Sequence, residues 1–415
     1  MLNYLTYDII FLRIFQVLFK IGGIILAVTG IIAEFNPLHN GHKLLIDAAK
    51  QGSNTVACVI SGNFVQRGDT AVISKIKRAQ AALMCGVDIV AELPVLWSMS
   101  TAQNFAVGAV SQLYALGCDE IIFGSECGDI EKLINAADIL LSDKFAFEVS
   151  KAVKEGCTFA LARQNAAVSL GAHEDVFKLP NDNLAVEYIL AAKKLRLPLS
   201  FRCIKREGAR HDSKVSSGCF VSSSLIRERL IGGDIAYAER FMPIQMRGFI
   251  TPEMISDIKR IETAVLAVLR LKTPEDFKNL PDISEGIENK LYFSVRVASG
   301  LDELYNMIKS KRYTLARVRR LVLSAALGLN GSVFMTQPPY VRVLGFSPLG
   351  EAHLRQHKSF TPIITRAAAI KQLDDPAKLV FDCECKATDL YSLSLRNPQE
   401  CGYEYKYKLL KTECM

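Results

Sequence analysis

From residue 26 onward, short apolar runs alternate with stretches in which apolar side chains recur every three or four positions. The first kind predicts buried strands at 27–33, 55–60, 88–92, 120–123 and 199–204, and the second predicts helices at 43–50, 75–85, 101–116, 130–141 and 185–195. Strands that are apolar throughout, separated by amphipathic helices, predict a Rossmann-like parallel sheet covered on both faces. After Asp212 the style changes: S-S-S-L-I-R-E-R-L opens a helix on serine caps, and further helices follow with no strand-like run until V-R-V-L-G-F at 341–346. The expected organisation is therefore an α/β domain at 26–235 and a mainly α-helical domain at 236–415. No repeat or low-complexity segment is visible.

Residues 1–25 stand apart. The opening M-L-N-Y-L-T-Y-D-I-I-F-L-R-I-F-Q-V-L-F-K is apolar but broken by Asp8, Arg13 and Lys20, so it holds no uncharged run of about 18 residues for a membrane span. The expectation is a peripheral helix, or a segment upstream of the natural start. Gly22-Gly23 would match a purine-rich ribosome-binding sequence and Leu26 a UUG start. No membrane partner is expected.

Composition adds little to this. Across 415 residues, 50% are apolar and 22% charged, with a net charge of +7 that suits one basic face rather than a basic tail. The 11 cysteines are scattered, odd in number and without a C-x-x-C pair, as expected of free thiols in a reducing cytoplasm. Cys383, Cys385, Cys401 and Cys414 match no standard zinc spacing, and no metal site is expected.

The candidate chemistry begins where the first strand ends, at A-E-F-N-P-L-H-N-G-H (33–42). A turn has use for the Asn, Pro and Gly but not for two histidines three residues apart. At the carboxyl end of a parallel strand, just before a helix, His39 and His42 would share one pocket with unpaired helix N–H groups, an arrangement suited to phosphate. The alternative is a capped turn whose histidines are incidental. In the second half, Lys309, Lys311, Arg312, Arg317, Arg319 and Arg320 crowd one stretch with no acidic residue among them, while Leu315, Val318, Leu321 and Val322 stripe its other side. That is the footprint of an RNA-backbone contact or of a solvated charged face. Tyr313 and Phe346 would stack a base or fill the core.

N-P-L-H-N-G-H resembles the H-x-G-H signature of the nucleotidylyltransferase superfamily, relatives of class I aminoacyl-tRNA synthetases. S-S-S-L-I-R (222–227) matches its second element, which implies that Ser223, Ser224 and Arg227 face the triphosphate. Longer blocks are similar to the bacterial tRNA(Met) cytidine acetate ligase family. They are E-F-N-P-L-H-N-G-H, S-G-N-F-V-Q-R-G-D-T-A-V-I-S-K, G-V-D-I-V-A-E-L-P, F-G-S-E-C-G-D-I, L-P-N-D-N-L-A-V-E-Y, K-R-E-G-A-R-H-D, K-R-Y-T-L-A-R-V-R-R and Y-V-R-V-L-G-F-S-P-L-G, colinear from about 26 to 395. The resemblance implies activation of acetate by ATP, with magnesium, and transfer of acetyl to N4 of the wobble cytidine of elongator tRNA(Met). Carried over, the ATP site comprises Ile32, Ala33, Glu34, Phe35, Asn36, Pro37, Leu38, His39, Asn40, Gly41, His42, Lys43, Leu44 and Leu45, with Gly124, Asn181 and Arg206. His39 and His42 are its catalytic pair. Two positions depart from the pattern: Asn183 stands where an apolar residue is expected, and Asn63 where relatives often carry His. The rival expectations are a small-molecule nucleotidylyltransferase of cofactor synthesis and a non-catalytic RNA-binding protein with a nucleotide pocket.

Overall fold

A computed structural model describes residues 27–52, 55–206, 221–284, 286–310, 313–333 and 335–412. The expectations for residues 1–25, for 207–212, for Lys311 and Arg312 and for Cys414 lie outside them.

The five expected strands all form, each within two residues of its predicted ends: β1 (Val28–Ala33), β2 (Thr55–Ser61), β5 (Ile89–Leu93), β6 (Glu120–Ser125) and β7 (Ser200–Lys205). They lie parallel in the order β5-β2-β1-β6-β7. Strand period two explains why β1 and β2 read as continuous apolar runs. Ile31, Val56, Cys58 and Ile60 face one core, while Val28, Ile32, Ala57 and Val59 face the other. Helices α1 (Asn40–Gly52) and α2 (Lys75–Met84) contribute to the first core. The second is filled by α3 (Ala102–Ala115), α4 (Ile130–Leu141) and α5 (Pro180–Lys194).

Two helix starts differ from expectation. Helix α1 begins at Asn40, so His42 lies in its first turn rather than in the preceding loop. Helix α5 begins at Pro180, five residues early, because proline suits a first helical position. Asn183, the residue out of pattern, thereby falls in the opening turn, and its amide reaches back to the carbonyls of Phe177 (2.7 Å) and Leu179 (3.3 Å).

The expected boundary near residue 235 does not bound the sheet. Strand β8 (Val341–Phe346) pairs antiparallel with β5, and β9 (Ile363–Ile364) and β10 (Leu410–Lys411) both pair with β8. The chain thus leaves the sheet after β7 and passes through α6 (Ser223–Ile231), then α7 (Glu262–Arg270), α8 (Ile287–Val297), α9 (Leu301–Ile308) and α10 (Leu315–Leu327). It then returns to complete the edge, followed by the long helix α11 (Asp375–Ser392).

A buried charge network ties that return to the first half. Lys75 is 1% exposed and ion-pairs with Glu92 on β5 and Glu404 near the C-terminus. Arg342 of β8 pairs with Glu404 and, at 3.4 Å, with Glu92. Glu384 of α11 accepts the N–H of Val95 and lies 3.6 Å from Lys75. Burial and then the neighbouring Glu92 charge push the Glu384 carboxyl well above the usual carboxylate range. Burial alone would raise Glu404 too, but Lys75 and Arg342 override it and hold the carboxyl down at about 2. Two cations thus face three acidic side chains, and such mutual pairing is the condition for burying so many ionisable groups.

Asn63 belongs to the same assembly. Its Oδ1 accepts from Lys75 N (2.8 Å) and its Nδ2 donates to Thr388 Oγ1 (3.1 Å), so it serves as a buried strut.

After β2 the chain forms a small hairpin, β3 (Phe64–Val65) and β4 (Asp69–Thr70). Its Gly68 has φ +71°, and a Cβ there would come 2.5 Å from Arg320 N and 2.7 Å from Arg319 C, because α10 lies directly against the turn. Gly68→Ala is expected to destabilise the protein by about 3 kcal/mol through the left-handed backbone and the overlap together. An unchanged urea midpoint would show that α10 is not held there.

Candidate active site

The sheet order places a topological switch point between β1 and β6, because the chain moves from β1 to β2 on one side and reaches β6 on the other. Ligands of open α/β sheets bind in the crevice outside the strand ends at such a point. The H-x-G-H segment lines one wall of it.

Phe35, directly after β1, adopts φ +46° while fully buried, a strained conformation of the kind that persists where surrounding structure enforces it. It turns the chain so that His39 and His42 stack, ring centroids 3.8 Å apart, with Phe35 edge-on to His42 at 5.0 Å. His39 Nδ1 accepts from Gly41 N (3.1 Å), so its Nε2 carries the hydrogen and donates to Ser223 Oγ (2.9 Å). His42 Nδ1 accepts from His39 N at 3.3 Å. Burial, then the Arg206 and Arg227 charges, hold His39 down at about 3; burial, then His39 and Arg206, likewise depress His42. Two neutral imidazoles therefore sit among fixed positive charges, an environment that favours a polyanion.

Helix α6 supplies the opposite wall. Ser222 caps it by accepting from Leu225 N, and Ser223, in its first turn, meets His39. Arg227, one turn on, donates to Asn36 O (2.9 Å) and Ser224 Oγ (3.1 Å). The two sequence motifs, about 180 residues apart, are thus joined by direct hydrogen bonds.

The other expected site positions gather at the ends of β6 and β7. Gly124 leaves room where a Cβ would sit 3.3 Å from Arg206 Cγ, and Arg206 N donates to Ser125 O (2.9 Å). Asn181 opens α5 beside them, its amide donating to Glu126. Two acids that the sequence did not single out do the joining. Asp182 accepts from Ser125 Oγ, Glu126 N (2.9 Å) and Cys127 N (3.0 Å), while Glu126 accepts from Asp182 N (3.0 Å). The available signal was an acid in a helix's first turn following a proline.

Within 32–45 the side chains divide. Ile32, Phe35 and Leu38 are core residues, so any ligand contact from them is through backbone. Leu44 is exposed, and Lys43 is engaged with Asp47. Arg78, in the first turn of α2, is wholly buried and donates to the carbonyls of Glu34, Gly62 and Ile73, pinning the loops after β1 and β2. Neither it nor Lys75 is placed to meet a phosphate or an RNA directly.

The basic stretch of the second half is largely turned inward. Arg317 and Arg320 pair with Asp282 at 3.5 and 3.0 Å, Arg320 also reaches Gln66 O (3.3 Å), and Arg319 lies over the Tyr305 ring at 5.4 Å. The sequence showed no acid among these arginines, but the fold brings Asp282 to them. Lys309 is exposed, whereas Tyr313 and Phe346 are buried. Among the described residues no cluster of three or more His, Cys, Asp or Glu could hold a metal ion, and no helix is long and apolar enough to cross a membrane.

Residues 26–406 match the family model described as HIGH Nucleotidyl Transferase. A tRNA(Met) cytidine acetate ligase of Thermoanaerobacter sp. (strain X514) is 35% identical over 404 residues, spanning 93% of this chain and all of the relative. The protein of that name from Caldanaerobacter subterraneus subsp. tengcongensis is 38% identical over 401 residues, 92% of this chain and 99% of the relative. The crystal structure of apo Thermotoga maritima TmcAL superposes with a TM-score of 0.86 at 31% identity, over 93% of this chain and all of the other. Thermotoga maritima TmcAL bound with alpha-thio ATP gives 0.84 at 30%, with the same coverage. The chain belongs to the HIGH nucleotidyl transferase family and, within it, to the tRNA(Met) cytidine acetate ligases.

Proposed function

We propose that this protein is an ATP-dependent ligase that activates acetate as acetyl-adenylate and transfers the acetyl group to N4 of the wobble cytidine of elongator tRNA(Met). The observation that carries this reading is the His39–Ser223 hydrogen bond, which closes H-x-G-H onto the serine-capped helix with Arg206 and Arg227 beside it.

In the first step an acetate oxygen attacks the α-phosphorus in line. A new O–P bond forms, the bond to the bridging oxygen breaks, and pyrophosphate leaves. Such transfers ask a protein mainly for positioning and charge neutralisation. The imidazole N–H groups, the start of α6, Arg206 and Arg227 are the groups that would supply them. In the second step the cytidine N4 attacks the acetyl carbonyl, AMP departs with its bonding pair, and N4 loses a proton to solvent. The amine is weakened by delocalisation into its ring, so orientation of an unstacked base matters most.

Magnesium would arrive on the triphosphate, since the described residues offer no acidic cluster for it. The tRNA would approach over the helical second half, where Lys309 is exposed. A cytoplasmic location suits the nine free thiols of the described residues.

The test is incubation of the purified protein with ATP, labelled acetate and tRNA(Met), followed by mass analysis of the wobble nucleoside. Labelled N4-acetylcytidine is the expected product, and its absence, with no acetate-dependent pyrophosphate exchange, would overturn the reading.

A further inference from the structure

The clasp between β6 and α5 does more than close a loop. Glu126 receives the N–H of Asp182 and the side-chain amide of Asn181. A carboxylate accepts hydrogen bonds and has none to donate, so the Asn181 carboxamide must turn its NH2 toward Glu126 and its Oδ1 away. Asp182, fully buried, fixes the Glu126 backbone from the other side. Asn181 is therefore an acceptor of defined orientation, held through Glu126 to the end of β6, where the Arg206 side chain packs over Gly124.

Resting on the ATP reading above, the triphosphate lies at the β1–α6 end of the crevice, which leaves the β6–β7 end for the nucleoside. We propose that Glu126 is a positioning residue for nucleobase selection. It presents Asn181 Oδ1 to the 6-amino group of a purine, so that adenine donates a hydrogen bond where guanine would oppose one acceptor with another. The amide nitrogen, which would otherwise rotate in to welcome a 6-oxo group, is held back by the Glu126 carboxylate.

The experiment measures acetate-dependent exchange of labelled pyrophosphate into ATP, GTP, purine riboside triphosphate and 2′-deoxy-ATP. In the native protein, kcat/KM for ATP is expected to exceed that for purine riboside triphosphate by about tenfold or more, the worth of one well-made hydrogen bond. In Glu126→Gln, whose amide can either accept or donate, the ATP:GTP ratio is expected to fall by about tenfold, mainly through KM. Equal use of ATP and purine riboside triphosphate by the native protein would overturn the proposal, and needs no variant to fold. So would an unchanged ATP:GTP ratio in Glu126→Gln, or a change confined to the ATP:2′-deoxy-ATP ratio, which would mean that the amide reads the ribose. Full exchange in His39→Ala would instead remove the ATP site on which the inference rests.

Discussion

His39→Ala is expected to cut acetate-dependent pyrophosphate exchange by about 100- to 1000-fold, the usual loss when a donor to developing charge is removed from a preorganised site. The chain should still fold. The imidazole's polar partners are Gly41 N and Ser223 Oγ, and leaving them unpaired costs about 1–3 kcal/mol. Exchange and thermal melting measured together separate the two effects, and near-native exchange would dismiss the histidine pair as machinery.

A pH dependence accompanies this. With His39 held at about 3, the free protein's kcat/KM should show no ionisation near 6.5 from this residue. The sign for stability follows from which state binds the proton first. Between pH 6.5 and 3 the unfolded imidazole is protonated and the folded one is not. Stability from the neutral ring is therefore complete above 6.5 and is lost as pH falls, by up to about 1.4 kcal/mol per unit. His39→Ala should flatten that acid limb in denaturant titrations.

Lys75→Met is expected to produce the largest loss of stability, about 3–5 kcal/mol, because it leaves Glu92, Glu404 and Glu384 buried with only Arg342 opposite them. Adding Glu404→Gln should recover part of the loss, since it withdraws one of the stranded charges. A double-mutant cycle in urea measures the recovery, and strictly additive effects would mean that the two residues do not interact.

How much of this was legible beforehand depended on the range of the signal. The five parallel strands were readable because each is buried on both faces, so the apolar run itself marks it. His39 and His42 were readable because turn chemistry has no use for imidazole. The bond from His39 to Ser223 was not readable from either motif alone; only the family resemblance implied that both face one triphosphate. The inward settings of Lys75, Arg78 and Arg320 were hidden for a related reason. Lysine and arginine are solvated unless partners are brought to them, and Glu404, the Glu34 carbonyl and Asp282 are supplied by segments distant in the sequence. The strand V-R-V-L-G-F was visible as a strand, but its place was hidden. An antiparallel edge partner for β5 cannot be inferred from a run that resembles any other.

That edge has a consequence for how the protein is made. At about 5–20 residues per second on the ribosome, β5 emerges well before β8, and roughly 300 residues separate Glu92 from Glu404. Through most of synthesis the nascent sheet carries an unpaired border and a lysine whose counter-charges are still untranslated. Premature termination anywhere before residue 404 should therefore yield not a shortened enzyme but a substrate for chaperones and proteases.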